Sequence, residues 1–260
     1  MIDNSRKLKF LIRVLTDTVG DESVRMRFFE SGEYPDDRAL DLILERPVCP
    51  NRNNGTDWPE RAHTMIGLLR MQNLLDCLDR VREDGVEGDF LETGVWRGGA
   101  CIFACLYFDL YGMDKKVFVA DSFKGLPPPE IPQDEGDGHH KVDFLRVSLD
   151  EVMANFRLYG CNTNRVIPLK GWFSETLPGN DSIGKLCLLR MDGDMYKSTM
   201  DVFDSCYHKV SDHGFLIVDD YCIKNCRRAT DDFRERAGIV EAFTSIDPCG
   251  IFWRVKRNQL

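Results

Sequence analysis

The stretch Asp89-Phe-Leu-Glu-Thr-Gly-Val-Trp-Arg-Gly-Gly99 decides the fold, because a short apolar strand is followed by an acid and three glycines. The glycines allow a sharp turn and a close approach of the backbone to a ligand. The pattern departs from G-x-G-x-x-G because Glu92 occupies the place of its first glycine. A carboxylate there repels a pyrophosphate and favours an ammonium group. The competing interpretation is an ordinary helix start with a capping acid.

Strand candidates alternate with helix candidates from Asp89 onward, which is typical of a parallel sheet covered on both faces. Five such strands are Phe90–Glu92, Lys116–Ala120, Arg165–Leu169, Leu186–Met191 and Gly214–Val218. Two more, Glu241–Ile246 and Gly250–Val255, are joined by the tight turn Asp247–Gly250 into an antiparallel hairpin. The pattern predicts an α/β, doubly wound, Rossmann-like sheet of seven strands. Its C-terminal hairpin indicates the class I methyltransferase version rather than the dinucleotide-binding version.

Two helical segments precede the predicted sheet. Residues 5–30 carry apolar side chains at helical spacing and predict one amphipathic helix, followed by a polar stretch over residues 31–59 that is interrupted by prolines. A second helix is predicted from Thr64 to Arg82, with an apolar stripe that packs on the sheet. We therefore divide the chain into an N-terminal helical arm or lid, residues 1–60, and a methyltransferase domain, residues 61–260.

Composition excludes several classes of partner. The chain has 34 Lys and Arg against 43 Asp and Glu, a net charge of −9, so it lacks the positive field that attracts nucleic acid or an anionic membrane surface. Its apolar runs are shorter than the roughly 20 residues of a membrane span, and the N-terminus shows no signal peptide. We expect a soluble, cytoplasmic protein that binds neither nucleic acid nor membrane.

Cysteine usage favours reduced thiols over a disulfide framework. The ten cysteines make up about 4% of the chain, below the roughly 8–10% that is typical of disulfide scaffolds. The pairs Cys101/Cys105 and Cys222/Cys226 lack the second pair or the histidines of a structural zinc site, and the five histidines form no zinc-hydrolase motif. Any metal should therefore have oxygen ligands.

An acid also follows the second predicted strand, at the sheet edge where open α/β folds bind their ligands. Asp121 stands where a carboxylate can accept hydrogen bonds from both hydroxyls of a ribose. Together, Glu92 and Asp121 indicate a cofactor that has a ribose and a positive charge but no phosphate. S-adenosylmethionine has all of these features.

Three aspartates end the fourth and fifth predicted strands, namely Asp192, Asp219 and Asp220. Clustered carboxylates repel one another and need a cation, and an all-oxygen ligand set favours Mg²⁺, or Mn²⁺, over zinc. The alternative is that Asp192 and Asp219 cap helices while Asp220 is a solvated surface acid. Asp194 is a candidate cap for a helix starting at Met195, and we do not assign it to the metal.

Several runs of sequence resemble the macrocin O-methyltransferase family. They are Ala62–Gly67, Phe90–Ala100, Val119–Phe123, Gly171–Phe173, Leu189–Asp194 and Val218–Cys222. The resemblance extends from about residue 60 to Phe252-Trp253-Arg254, whereas the first sixty residues match poorly. Members of this family methylate hydroxyls of deoxysugars on antibiotics such as macrolides and aminocoumarins. The resemblance implies S-adenosylmethionine and Mg²⁺ as cofactors and a small, glycosylated acceptor.

The resemblance also implies a role for each site residue. Asp192, Asp219 and Asp220 hold Mg²⁺, and Asp192 also acts as general base. The residues for S-adenosylmethionine are Glu92, Gly94 and Trp96 at its methionine end and sulfonium, Asp121 and Ser122 at its ribose, and Thr64 and Met65 over its other side. Trp172 is assigned to the adenine ring, with core packing as an equally good alternative.

Two segments are candidates for covering the site. The segment Leu126–His140 is rich in residues that prevent regular structure and is predicted to be a lid that excludes water. Its His139 and His140 either contact the acceptor or are solvated. The segment Glu30–Pro59 is predicted to cover the acceptor pocket of its own or of a neighbouring subunit, which favours a homo-oligomer.

The predicted function is Mg²⁺-dependent transfer of a methyl group from S-adenosylmethionine to a hydroxyl of a sugar on a glycosylated natural product. Three alternatives are a methyltransferase for a catechol-like diol, which chelates Mg²⁺ in the same way, an NAD-dependent oxidoreductase, and a non-catalytic binding protein. The missing G-x-G-x-x-G and the terminal hairpin disfavour the oxidoreductase. The presence of all three aspartates disfavours the binding protein.

Overall fold

The computed structural model describes residues 2–257. Residue 1 of the predicted N-terminal arm and residues 258–260 of the predicted methyltransferase domain lie outside the described residues. The strands are β1 (Asp89–Thr93), β2 (Val117–Asp121), β3 (Val166–Lys170), β4 (Leu186–Met191), β5 (Val210–Val218), β6 (Thr244–Ser245) and β7 (Ile251–Arg254). They form one sheet in the order β3-β2-β1-β4-β5-β7-β6. The first five are parallel, and β7 is antiparallel to both β5 and β6. The predicted α/β sheet with its terminal hairpin is confirmed.

The central strands place the site residues next to one another. Every residue of β4 is buried, because β4 lies between β1 and β5 in the middle of the sheet. The register pairs Glu92 of β1 with Arg190 of β4. The sixth strand is shorter than the predicted Glu241–Ile246, because its ladder with β7 extends over only Thr244 and Ser245 at the exposed edge.

The α-helices of the described residues pack on the two faces of the sheet or belong to the N-terminal segment that precedes it. They are α1 (Asn4–Leu15), α2 (Glu22–Ser31), α3 (Asp37–Glu45), α4 (Pro50–Asn54), α5 (Leu68–Glu83), α6 (Gly99–Leu110), α7 (Leu149–Leu158), α8 (Phe173–Thr176), α9 (Tyr196–Cys206) and α10 (Lys224–Arg236). None of these helices is long and apolar enough to cross a membrane.

The single helix predicted over residues 5–30 is wrong, because the chain turns between α1 and α2. Asp17 and Gly20 have φ values of 55° and 77°, which interrupt the helix. The side chain of Asp21 then starts α2 by accepting a hydrogen bond from the Ser23 amide. The stretch over residues 31–59, expected to be a polar loop, contains α3 and α4.

Helix α5 starts at Leu68, four residues after the predicted start at Thr64. The preceding segment is not helical, and at Gly67 it packs tightly against the chain near α4. A Cβ atom on Gly67 would lie 2.3 Å from the Asn53 carbonyl oxygen and from the Gly55 nitrogen. Thr64 and Met65 therefore lie in a non-helical, bent segment that lines the cavity.

Helix α1 belongs to the same apolar core as the sheet. Phe10, Val14 and Leu15 are fully buried, and they share a cluster with residues of α5, α6 and β1. A second cluster on the other face of the sheet joins β4 and β5 to α9, α10 and β7. The N-terminal residues are thus packed as a layer of the main core, and a boundary at residue 60 remains a prediction.

Two cysteines correct the expectation that all ten are reduced. Cys222, which follows β5, forms a disulfide with Cys249, which lies in the turn before β7. The pairing of β7 with β5 brings these two positions together, and this could not be deduced from their separation of 27 residues. The other eight cysteines are free, and all of them except Cys49 are buried.

Candidate active site

A cavity of about 470 Å³ lies at the carboxyl edge of the parallel strands. It is lined by all eleven residues that the sequence predicts for the site, which are Thr64, Met65, Glu92, Gly94, Trp96, Asp121, Ser122, Trp172, Asp192, Asp219 and Asp220. They come from the carboxyl ends of the five parallel strands, from the loops that follow them, and from the non-helical segment before α5. The structure therefore brings the predicted residues together around one space.

Gly94 allows β1 and β4 to end side by side. Its φ is 83°, and a Cβ atom at this position would lie 1.7 Å from the backbone oxygen of Asp192. The amide of Asp192 in turn donates to the carbonyl of Thr93 at 2.9 Å. Glycine is required here by the protein's own backbone, in addition to any approach of a ligand.

Asp121 is held by the turn that follows β1. Its two carboxylate oxygens accept hydrogen bonds from the amides of Val95 at 2.9 Å and Phe123 at 2.7 Å. Burial raises the pKa of Asp121, while these backbone hydrogen bonds oppose that effect. A carboxylate oxygen has a second lone pair, so Asp121 can still accept a hydrogen bond from a ligand hydroxyl.

Trp96 is one end of an aromatic stack, which we define as Trp58, Phe144 and Trp96, with Phe144 at its centre. The Phe144 ring lies 5.5 Å from the Trp58 ring and 5.4 Å from the Trp96 ring. The indole N–H of Trp96 donates to the Phe144 carbonyl at 3.0 Å, and the Arg97 guanidinium lies 4.2 Å from the Trp96 ring. The stack joins the segment before α5 to the loop before α7.

Trp172 immediately precedes α8 and is only partly buried, with its side chain lining the cavity. A tryptophan used for core packing alone would be enclosed by apolar side chains. This position therefore favours contact with a ligand over the core-packing alternative.

Asp192, Asp219 and Asp220, which we call the aspartate group, offer oxygens that lie within 4.8 Å of one another. Burial raises the pKa of Asp192 and raises that of Asp220 well above its ordinary value, and the neighbouring carboxylates add to both effects. A bound cation would reverse these effects. The oxygen-only ligand set and the mutual repulsion fit Mg²⁺ or Mn²⁺.

Arg190 is a site residue that our sequence interpretation missed. It is fully enclosed in β4 and donates to Glu92, to Asp192 at 3.0 Å and to Asp219 at 2.5 Å. The available signal was its position inside the apolar run Leu186–Met191. A charged side chain in a strand buried on both faces needs partners of opposite charge.

Arg70, in the first turn of α5, was missed as well. Its guanidinium pairs with Asp219 and with Asp247 of the hairpin turn, the latter at 2.7 Å. It also donates to the carbonyls of Asn54 at 2.9 Å and Gly55 at 3.2 Å. Arg70 therefore connects the aspartate group, the hairpin turn and the end of α4.

Glu92 is less free to bind a cofactor than the sequence suggested. One of its oxygens accepts from Arg190, and the other accepts from the Cys101 thiol at 2.8 Å. Burial raises the pKa of Glu92 to about 7. Ten Asp and Glu residues line the cavity against three Arg and Lys residues, so the ionised site favours a cationic ligand.

The predicted lid, residues 126–140, contributes to the lining of the cavity and is attached to α9. Asp134 is fully buried and accepts hydrogen bonds from the amides of Tyr196 at 2.7 Å and Lys197 at 3.0 Å. This carboxylate caps α9, so the predicted capping role of Asp194 is wrong. His139 is among the residues that line the cavity and His140 is not.

Comparison with known proteins identifies relatives over almost the whole chain. A family model described as Macrocin-O-methyltransferase (TylF) matches residues 4–255, so the resemblance begins near the N-terminus and not near residue 60. The 8-demethyl-8-(2,3-dimethoxy-alpha-L-rhamnosyl)-tetracenomycin-C 4'-O-methyltransferase of Streptomyces olivaceus is 40% identical, over 95% of this chain and 91% of that protein. Mycinamicin III 3''-O-methyltransferase of Micromonospora griseorubida is 46% identical, over 78% of this chain and 82% of that protein. The solved structure of the O-methyltransferase NovP has a TM-score of 0.84 and 38% identity, covering 98% of this chain and 100% of that one.

Proposed function

Because the chain belongs to the macrocin O-methyltransferase family, we propose that it transfers a methyl group from S-adenosylmethionine to a hydroxyl of a deoxysugar on a glycosylated natural product, with Mg²⁺ and with Asp192 as general base. The chain is an O-methyltransferase, as its named relatives are. The observation that carries the proposal is the shared cavity, in which Asp121 and the aspartate group face one space. The sugar substrates named for both relatives favour a sugar over a catechol-like diol.

The cofactor side of the cavity is the part lined by the loops after β1, β2 and β3. S-adenosylmethionine, when bound, supplies the methyl group that is transferred. Asp121 would accept from the ribose hydroxyls next to Ser122, and the excess negative charge around Glu92 would favour the sulfonium. The remaining assignments are Thr64 and Met65 over the cofactor, Gly94 and Trp96 at its methionine end, and Trp172 at the adenine ring.

The aspartate group would hold Mg²⁺ and prepare the acceptor. Mg²⁺, when bound, supplies positive charge that favours the ionised form of a sugar hydroxyl. Asp192 removes the hydroxyl proton, because it has a cavity-lining carboxylate whose orientation is fixed by Arg190 at 3.0 Å. Asp219 and Asp220 would contribute charge and ligand oxygens.

We expect the protein to raise the rate further by aligning the reacting atoms and by excluding water from the site. The positive sulfonium and the negative oxygen neutralise each other in the transition state, so little charge is left for the protein to stabilise there. Holding the oxygen, the methyl carbon and the sulfur in line therefore matters more. The loop that Asp134 fastens to α9 lines the cavity, and we expect it to exclude water when the substrates are bound.

Thermal unfolding tests the cofactor without knowledge of the acceptor. We expect S-adenosylmethionine and S-adenosylhomocysteine to raise the midpoint by several degrees, since ligands that bind the native state stabilise it. NAD and ATP should have no effect. A shift with NAD alone would contradict the proposal and favour the oxidoreductase alternative.

Methyl transfer tests the acceptor and the base. Mycinamicin III and the tetracenomycin rhamnoside, the substrates named for the two relatives, are suitable first acceptors, each with Mg²⁺ or with a chelator. We expect transfer to require Mg²⁺ and the Asp192→Asn variant to lower kcat by about 10²-fold or more. The exposed Asp181→Asn is the matched control. Undiminished turnover by Asp192→Asn would remove the general-base role, and methylation of a simple catechol but no glycoside would favour the diol alternative.

A further inference from the structure

Trp58 presents an uncovered aromatic face at the cavity. Its side chain lines the cavity, yet the residue is 48% exposed. One face of its ring is stacked on Phe144 with an angle of 26° between the ring planes. Phe144 is in turn covered by Trp96 and by Arg97. The stack is therefore closed at its inner end and open at the face of Trp58 that points away from Phe144.

The backbone that carries Trp58 is fixed to the rest of the site. Arg70 holds the carbonyls of Asn54 and Gly55 with the same guanidinium that pairs with Asp219. Asp57 forms an ion pair with the buried Arg52 at 3.3 Å. An aromatic ring on an anchored segment provides contact area with little loss of conformational entropy when a ligand binds.

The floor and the mouth of the cavity offer different contacts, polar at the floor and apolar at the mouth. Asp219 and Asp220 are only 3% and 8% exposed, so the groups that bind them must reach the cavity floor. Trp58 lies at the mouth, and Ile223 and Pro248 are apolar members of the same lining. The floor thus suits polar hydroxyls, and the mouth suits an apolar ring system that remains partly outside.

We infer that Trp58 is a specificity-determining residue that stacks on the apolar aglycone of the acceptor, while the sugar of that acceptor reaches the aspartate group. The inference rests on the proposed function and adds to it the part of the acceptor that is recognised. An aglycone with a flat or puckered apolar ring would cover the open face of Trp58 and remove apolar surface from water.

The test compares two acceptors that share one sugar. The first is mycinamicin III, and the second is the methyl glycoside of the one sugar of mycinamicin III that receives the methyl group. Both are assayed with the wild type, Trp58→Ala and Trp58→Phe. We expect Trp58→Ala to raise KM for the full glycoside about tenfold and to leave KM for the methyl glycoside unchanged. Trp58→Phe should retain most of the affinity because it keeps an aromatic face. Leu42→Ala, which removes a 65% exposed side chain that is not part of the cavity lining, should change neither value.

Four outcomes would overturn the inference. Equal increases in KM for both acceptors would mean that Trp58 contacts the sugar. Loss of the S-adenosylhomocysteine-induced thermal shift in Trp58→Ala would mean that the residue only supports Trp96. If the wild type methylates glycosides and Trp58→Ala is unchanged, the inference fails while the proposed function stands. If the wild type neither binds nor methylates any glycoside, both fail.

Discussion

Arg190 makes three buried ion pairs with a single guanidinium, to Glu92, Asp192 and Asp219. Removal of one partner from a buried ion pair costs about 3–5 kcal/mol, because the other charge is left uncompensated. We expect Arg190→Met to lower the free energy of unfolding by at least this amount in urea denaturation. Arg190→Lys should recover only part of it, because an ammonium group cannot reach three carboxylates in the geometry of a guanidinium.

Arg80 offers a control on α5 for this prediction, since its side chain is 68% exposed and its one ion pair is with Glu83 at 3.8 Å. Arg80→Ala should change the free energy of unfolding by less than about 0.5 kcal/mol. If Arg190→Met were as stable as the wild type, the buried network would contribute nothing to folding, and its retention would need another explanation.

His63 gives the molecule a dependence of stability on pH. Burial, with Arg25 and Arg97 nearby, lowers the pKa of His63 from its ordinary value to about 4. Unfolded histidine takes up its proton near pH 6.5, so between about pH 6.5 and 4 the unfolded chain binds more protons than the folded chain does. The free energy of unfolding should therefore fall by about 2–3 kcal/mol as the pH falls through this window.

Urea denaturation of the wild type and of His63→Gln at pH 7 and pH 4.5 measures this contribution. The glutamine keeps a hydrogen-bond partner for the Tyr159 hydroxyl, which lies 2.9 Å from His63 Nδ1. The difference between the two proteins should shrink at low pH, because the variant has no imidazole to protonate. Parallel curves for both proteins would refute the assignment.

At the scale of single residues, the acids of the site could be predicted and their cationic partners could not. An acid directly after a strand is visible in the sequence, because the strand pattern itself gives its position. The partners of Arg190 depend on the register between β1, β4 and β5, and those of Arg70 depend on where the hairpin turn meets α5. Local periodicity contains neither piece of information.

Among the elements, the covering loop and α9 depend on each other through Asp134. Asp134→Ala would leave the amides of Tyr196 and Lys197 without their carboxylate, and loss of a capping side chain costs about 1–2 kcal/mol. We expect this loss in thermal denaturation, together with faster proteolysis between residues 126 and 140. Asp134→Asn should be intermediate, and the exposed Asp150→Ala should resemble the wild type. Unchanged proteolysis would show that the loop is held by other contacts.

A helix or strand could be predicted where the local pattern of apolar and polar residues was enough to specify it. Buried parallel strands appear as short apolar runs, and all five were located. The break between α1 and α2 was missed because it depends on backbone conformation at Asp17 and Gly20 inside an otherwise helical pattern. The late start of α5 was missed because distant residues, at the end of α4, exclude the helix from residues 64–67.

For the whole molecule, the disulfide between Cys222 and Cys249 acts mainly on the unfolded chain. It closes a loop across 27 residues, and a crosslink of this length should contribute about 3 kcal/mol by restricting the unfolded ensemble. We expect a reductant to lower the unfolding midpoint of the wild type and to leave that of Cys222→Ala/Cys249→Ala unchanged. Peptide mapping without reduction should recover the linked pair. Equal sensitivity of both proteins to the reductant would contradict the assignment.

The subunit number of the whole molecule remains a prediction. A homo-oligomer was expected because the N-terminal segment could cover a neighbour's pocket. In the structure, Gly55, Thr56 and Trp58 line the cavity of their own chain, so the cavity needs no second subunit for this wall. Sedimentation at several protein concentrations would decide between a monomer and the expected oligomer.

The four partners of Arg70 have a consequence for recombination between related enzymes. The end of α4 and the hairpin turn lie nearly two hundred residues apart in sequence, yet both are bonded to the same guanidinium. A chimera that exchanges only the N-terminal third would combine one parent's cavity-lining residues after α4 with the other parent's hairpin turn. The two segments should therefore be inherited together, and shuffled libraries in which they are separated should contain fewer active members.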